Sequence, residues 1–215
     1  MTPRKLRLVS LAVAAILTLS ACGGDGGDEN TDGGETSTPT PTETLPAGVV
    51  LTEPGTELSF GESGTVEYAP TQSLSTYVTF TVVDATLGRL SDLKGFNLDT
   101  DYKKNANYYF VNVKIENVGD GDLGGRDVPL VGVNGEGTYL PPVVFQSAFP
   151  KCPSKQLPKE FGNGAVLETC LVFLSPDKGE LSAVSTLTDG TVEAVTWTGE
   201  IKQPAPAKKP GRKNG

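Results

Sequence analysis

The 215-residue chain predicts an all-β fold, a two-sheet antiparallel β-sandwich, on three observations. Polar and apolar residues alternate with period two through 75–87 and again through 107–117, the pattern of strands with one buried side. Gly, Pro, Asn and Asp separate the apolar runs at short intervals, as the turns between seven or eight short sandwich strands require. No segment sustains a long helical period.

The chain opens with Arg4, Lys5 and Arg7, an apolar run over 8–19, and then Leu19-Ser20-Ala21-Cys22. A basic start, an apolar centre and small residues before a cleavage point form an export signal, and the last four residues read as a bacterial lipobox. Residues 1–21 are therefore expected to be a lipoprotein signal peptide. Cys22 becomes the lipidated first residue of the mature chain, anchored on the extracytoplasmic face of the cell membrane. Two or three fatty chains, each buried methylene contributing about 0.8 kcal/mol, make such an anchor stable. The apolar run is shorter than the roughly 20 residues of a spanning helix.

Residues 23–47 hold the acids Asp25, Asp28, Glu29, Asp32, Glu35 and Glu43 and no base. With Gly-Gly-Asp and Thr-Pro repeats and almost nothing apolar to bury, 22–47 reads as a disordered linker behind the lipidated cysteine. As a flexible coil it spans about 25–30 Å. Its Thr-Pro tract has the composition of an O-glycosylated stalk.

The stretch 48–201 is the size of one ordinary domain with one core. Its strands are expected at 65–68, 75–87, 107–117, 142–145, 165–174, 182–186 and 192–197. A hairpin joins 128–133 to 138–140 through Asn134-Gly135-Glu136-Gly137. In 107–117, Tyr109, Val111, Val113 and Ile115 share one face; Tyr108, Phe110, Asn112 and Lys114 share the other. The aromatic pair on that second face implies a covering loop or sheet, or else a binding patch. Residues 91–98 hold at most one helical turn. Trp197, the only tryptophan, belongs in the core. With Cys22 lipidated, Cys152 and Cys170 remain as the one available pair in an oxidising compartment, and closing their loop stabilises the fold by about 3 kcal/mol in the loop-entropy model. The end, 202–215, carries Lys202, Lys208, Lys209, Arg212 and Lys213 without an acid and reads as a basic disordered tail.

The formal net charge is −8, and about −11 once Arg4, Lys5 and Arg7 leave with the signal. So acidic a chain is a poor partner for nucleic acid, whose phosphates must be neutralised. Histidine is absent and the only methionine is Met1. The usual triad base and the commonest zinc and copper ligands are missing with them, so neither an enzyme nor a cofactor is expected. The acidic loop Asp120-Gly121-Asp122-Leu123-Gly124-Gly125-Arg126-Asp127 supplies candidate calcium ligands in Asp120, Asp122 and Asp127. Gly125 fits the sixth place of a calcium loop, but Val131 stands where the twelfth needs glutamate. The plainer reading is a turn that uses Asp and Gly for their backbone freedom. Asn97, Asp99 and Asp101 form a second, lesser candidate.

Tyr108-Tyr109-Phe110-Val111-x-Val113-x-Ile115-x-Asn117-x-Gly119-Asp120, the Gly-bounded hairpin, Leu171-Val172-Phe173-x-x-Pro176 and Trp197-x-Gly199 together resemble secreted actinobacterial telokin-like proteins. These are immunoglobulin-like domains, similar to the immunoprotective mycobacterial extracellular antigen, and include lipoproteins. The resemblance covers about 60–201. It implies an immunoglobulin-like sandwich and brings no catalytic residues. The expected role is a cell-envelope lipoprotein displaying a binding module toward an envelope protein or wall polymer. The alternatives are a structural accessory subunit of an envelope complex and a small-ligand or calcium carrier.

Overall fold

A computed structural model describes residues 45–98, 100–188, 190 and 192–204. The predicted signal peptide, Cys22, the linker up to residue 44, Asp99 and the tail from 205 lie outside the described residues. Among those described, no helix is long and apolar enough to cross a membrane.

The alternating segments form two sheets. The first runs β1 (Glu57–Ser59), β9 (Thr196–Thr198), β8 (Leu181–Thr186), β5 (Leu130–Asn134) and β6 (Tyr139–Leu140). The second is built on β3 (Leu74–Leu87), with β4 (Asn107–Asn117) and then β7 (Val166–Ser175) on one side. The other side of β3 is shared by β2 (Ser63–Thr71) and β10 (Ile201–Lys202). Among the described residues, β1 with β9 and β10 with β3 are the parallel pairs. This is the all-β, immunoglobulin-like sandwich that the sequence predicts.

Why β3 keeps one face inward over 14 residues follows from its bulge. Pairing with β4 jumps from Val82↔Val113 to Asp84↔Asn112. Val83 is the extra residue, so the buried set passes from Val78, Phe80 and Val82 to Ala85 without exposing an apolar run. These residues meet Tyr109, Val111, Val113 and Ile115 of β4, Leu171 and Phe173 of β7, and Val184 and Trp197 of the facing sheet. Trp197 is fully buried as predicted, packs edge-on to Phe80 at 6.5 Å and donates Nε1–H to the Glu62 carbonyl at 3.0 Å.

The hairpin forms where Asn134-Gly135-Glu136-Gly137 places it. Asn134 Oδ1 accepts from the Glu136 and Thr138 amides, and Gly137 takes the positive φ of 77° that the turn needs. At the β7–β8 turn, Asp177 and Lys178 adopt φ of 51° and 55° without being glycine. Asn107 and Tyr109 hold that strained turn, each donating to the Gly179 carbonyl, at 3.2 and 2.9 Å.

The strand expected at 142–145 is not there. Pro141 and Pro142 have no N–H to give a ladder, and only an isolated bridge from Pro142 to Phe173 and a bond from the Val143 amide to the Val172 carbonyl survive. Of the strand expected at 192–197, only Thr196–Thr198 pairs, and Val192 is exposed. Strands β1 and β10 and the helical turn Asp101–Lys104 are too short to leave a periodic signal. The turn expected within 91–98 is the 3₁₀ turn Leu90–Leu93.

Candidate functional site

Beyond β6 the chain becomes a strap, 141–161, that wraps the edge of β7 from its outer side to its inner side. Phe149 and Cys152 enter a second apolar cluster on the outer face of the β3–β4–β7 sheet, with Leu93, Tyr108 and Val172. Phe96, Phe110 and Phe145 close around Phe149 with ring centroids 4.8–5.4 Å apart, mostly edge-on. The aromatic pair Tyr108 and Phe110 is thus covered by loops and is not a free patch. The Cys152–Cys170 disulfide, Cα atoms 5.0 Å apart, ties the strap to β7. Cys170 points away from the sandwich core, so this bond holds a loop on a sheet and does not join the sheets as the antibody-domain disulfide does.

Past the disulfide, Thr169 Oγ1 accepts from the Lys155 amide at 3.2 Å and donates to the Pro153 carbonyl at 3.3 Å. The strap then turns inward, and Leu157 and Phe161 join the main core. It meets the acidic loop there: the Leu157 amide donates to Arg126, the Gly125 amide to Pro158 and the Leu123 amide to Phe161.

That loop is pinned by its own polar side chains. Asn117, fully buried, accepts from Thr76 Oγ1 at 2.9 Å and the Gly119 amide at 3.2 Å, and donates to the Gly121 and Phe161 carbonyls at 2.6 Å each. All its hydrogen-bonding capacity is used. Asp122 Oδ1 accepts from the Phe161 and Gly124 amides, both at 2.8 Å. Those two backbone bonds hold its carboxyl below the usual carboxylate range. Asp127 accepts from Gln156 Nε2 at 2.8 Å. Among the described residues no three Asp, Glu or Cys side chains are grouped to hold a metal. The candidate calcium ligands Asp120, Asp122 and Asp127 are therefore not brought together as a cation cage: one oxygen each of Asp122 and Asp127 fastens the loop to the strap. Asp101 of the lesser candidate faces Lys104 at 3.7 Å.

Between the strap and the β5–β6 edge lies a groove of about 900 Å³. Tyr139, Val144 and Leu187 line it with 56, 84 and 51% of their surface exposed, and among the described residues Asp127 and Lys155 are its charged lining residues. A volume in this range suits a bound segment or small ligand, and exposed apolar side chains gathered in one hollow mark an interaction surface. The sequence reading missed this groove by giving 142–145 to a strand. The signal was Val143-Val144-Phe145 directly after two prolines, an apolar run unable to enter a ladder.

A smaller crevice of about 440 Å³ on the outer face is bordered by Arg89, Asp92, Asn112, Lys151 and Pro204. Its rim is crossed by polar contacts: Lys151 pairs with Asp92 Oδ1, and Arg89 donates its amide to Asp92 Oδ2 at 3.2 Å and Nη2–H to the Pro204 carbonyl at 3.3 Å. Burial raises the Asp92 carboxyl, but the bonds from Lys151 and Arg89 outweigh it, and the net shift is downward.

Comparisons of the chain with protein-family models, with curated proteins and with solved structures give no match in any of the three. The groove and its surroundings define the site by their own chemistry.

Proposed function

We propose that the chain is a cell-envelope lipoprotein, anchored through Cys22, whose immunoglobulin-like sandwich binds an apolar segment of another envelope protein without bond chemistry. The observation that carries the reading is the groove between the strap and the β5–β6 edge. It exposes Val144 on the strap, which the Cys152–Cys170 disulfide ties to β7, and Tyr139 and Leu187 on the facing sheet edge, so the apolar surface is presented in a set shape. Its two charges of opposite sign favour an uncharged protein segment over a polyanionic wall polymer. The lipobox and the acidic Thr-Pro linker support display at a distance from the bilayer, and the resemblance to secreted telokin-like domains agrees with a scaffold that carries no catalytic set.

The test is photo-crosslinking in intact cells from an unnatural residue at Tyr139 or Val144, with Ser63, exposed on β2, as the control position. One protein adduct is expected from the two groove positions and none from Ser63. It should vanish with Cys22→Ala, which frees the chain from the membrane, and fall at least tenfold with Val144→Asp. Equal adducts from all three positions, or adducts of polysaccharide alone, would overturn the reading; a Cys22→Ala chain that stays membrane-bound would remove the anchor.

A further inference from the structure

A third hollow, about 620 Å³, opens between the two sheets at the end opposite β10, beside the β2–β3 hairpin and the segments that follow β8. Its floor is the sandwich core itself: Phe80 and Val195, 1 and 2% exposed, with Val66 beside them. Leu51, Leu187 and Val192 stand at the mouth with 37, 51 and 51% of their surface in water. Apolar surface left open in this way gains free energy when a ligand covers it.

The charge of the lining is one-sided. Among the described residues, Glu53, Glu67 and Glu193 are the charged residues of its lining, with no lysine or arginine. Among the described residues, the ion pairs join Lys104 to Asp101, Lys114 to Glu116, Lys151 to Asp92 and Lys202 to Asp84, and none reaches these three glutamates. Glu67 alternates with the inward Val66 and Tyr68, so its carboxylate turns to the outer face of β2 and accepts from the Ser75 hydroxyl at 2.8 Å; Glu53 and Glu193 are the carboxylates of the mouth. An apolar slot ending on an aromatic ring, with uncompensated carboxylates at its mouth, sorts ligands by charge. An apolar body fills the interior while a cation stays at the rim; an anion of the same length is repelled.

We infer that this slot is a binding site for small organic cations that carry an apolar chain or ring, distinct from the protein-binding groove that begins on the other side of Leu187. Its volume falls within the range of small-molecule pockets.

The test compares n-octylammonium, n-octanol and n-octanoate, titrated into the full chain carrying Cys22→Ala so that no detergent is present, and followed by methyl and aromatic NMR shifts. Octylammonium should bind at least tenfold more tightly than octanoate, moving Leu51, Val66, Phe80 and Val192. The preference should shrink as salt rises toward 1 M. In the Glu53→Gln/Glu193→Gln variant it should fall below threefold while octanol binding holds. Leu51→Trp, which puts an indole at the mouth, should weaken all three probes. Equal binding of ammonium and carboxylate, shifts confined to Tyr139 and Val144, or no binding of any probe would each overturn the inference. None of these results bears on the crosslinking from the groove.

Discussion

The two faces of the β3–β4–β7 sheet are covered in different ways. The inner face is met by a second sheet, and every layer of that contact repeats one rule, with alternate residues such as Val111, Val113 and Ile115 pointing the same way. The outer face is met by irregular chain: the 88–98 loop and the strap, holding Leu93, Phe96 and Phe149 against Tyr108, Phe110 and Val172. The uncovered part of that face is hydroxyl-rich, with Ser63 against Thr81 and Thr65 against Thr79 at 2.8 and 2.7 Å. A sheet brings its own backbone partners to a contact, whereas a loop must be fastened. The outer cluster accordingly carries the disulfide, the Lys151–Asp92 pair and four aromatic ring contacts.

Substitutions graded by size sharpen that contrast. Trp197→Ala removes the largest fully buried side chain and should cost about 4 kcal/mol, unfolding the sandwich as one unit in urea. Asn117→Leu leaves the Gly121 carbonyl without its donor, takes one of two donors from the Phe161 carbonyl and removes the acceptor of the Thr76 hydroxyl, and should cost about 3 kcal/mol, read from the same denaturation midpoint. Replacing Cys152 and Cys170 together by Ser should cost about 2–3 kcal/mol. Its signature is regional: amide exchange in 142–157 should quicken well before that of β3 and β4. If all amides quicken in step, the two clusters are one cooperative core and the contrast fails. Phe149→Leu trims the outer cluster alone and should cost about 1 kcal/mol, with the groove wall loosening first.

The smallest effect is that of acid. Asp92 and Asp122 titrate below an ordinary carboxyl when folded, so their contribution is complete above about pH 4 and is lost as pH falls through their lowered values. Asp92→Asn should lower the unfolding free energy at neutral pH by less than about 1 kcal/mol and flatten the decline below pH 4. An unchanged acid limb would show that the Lys151–Asp92 pair does not hold the outer loops.

The same contrast explains what was legible. Period two placed β3, β4, β5, β7 and β8 and buried Trp197, because sheet packing imposes one repeated demand on the sequence. Cys152 and Cys170 were paired by counting. The outer cluster follows no period: Phe96, Phe145 and Phe149 come from segments whose backbone is set by Pro, Gly and a covalent bond, so their apolar character was visible but not what it would cover. Asp122 looked like a ligand because an Asp in a Gly-rich loop has the same composition whether it holds an ion or two amides. The groove and the slot are gaps between elements distant in sequence, and no local pattern records a gap.

Both ends of the sandwich hop between sheets at one corner: β1 leads into β2 while β9 leads into β10, and the Phe60 amide is bonded to Thr198 and the Gly61 amide to Val82. Because β1 lies parallel to β9, a tension drawing the amino end away from the carboxyl end slides the two strands along each other. It loads the pairings Glu57↔Thr196, Leu58↔Trp197 and Ser59↔Thr198 at once, and does not peel them one at a time. The corner is a shear clamp, and a domain pulled on its tether would yield there last.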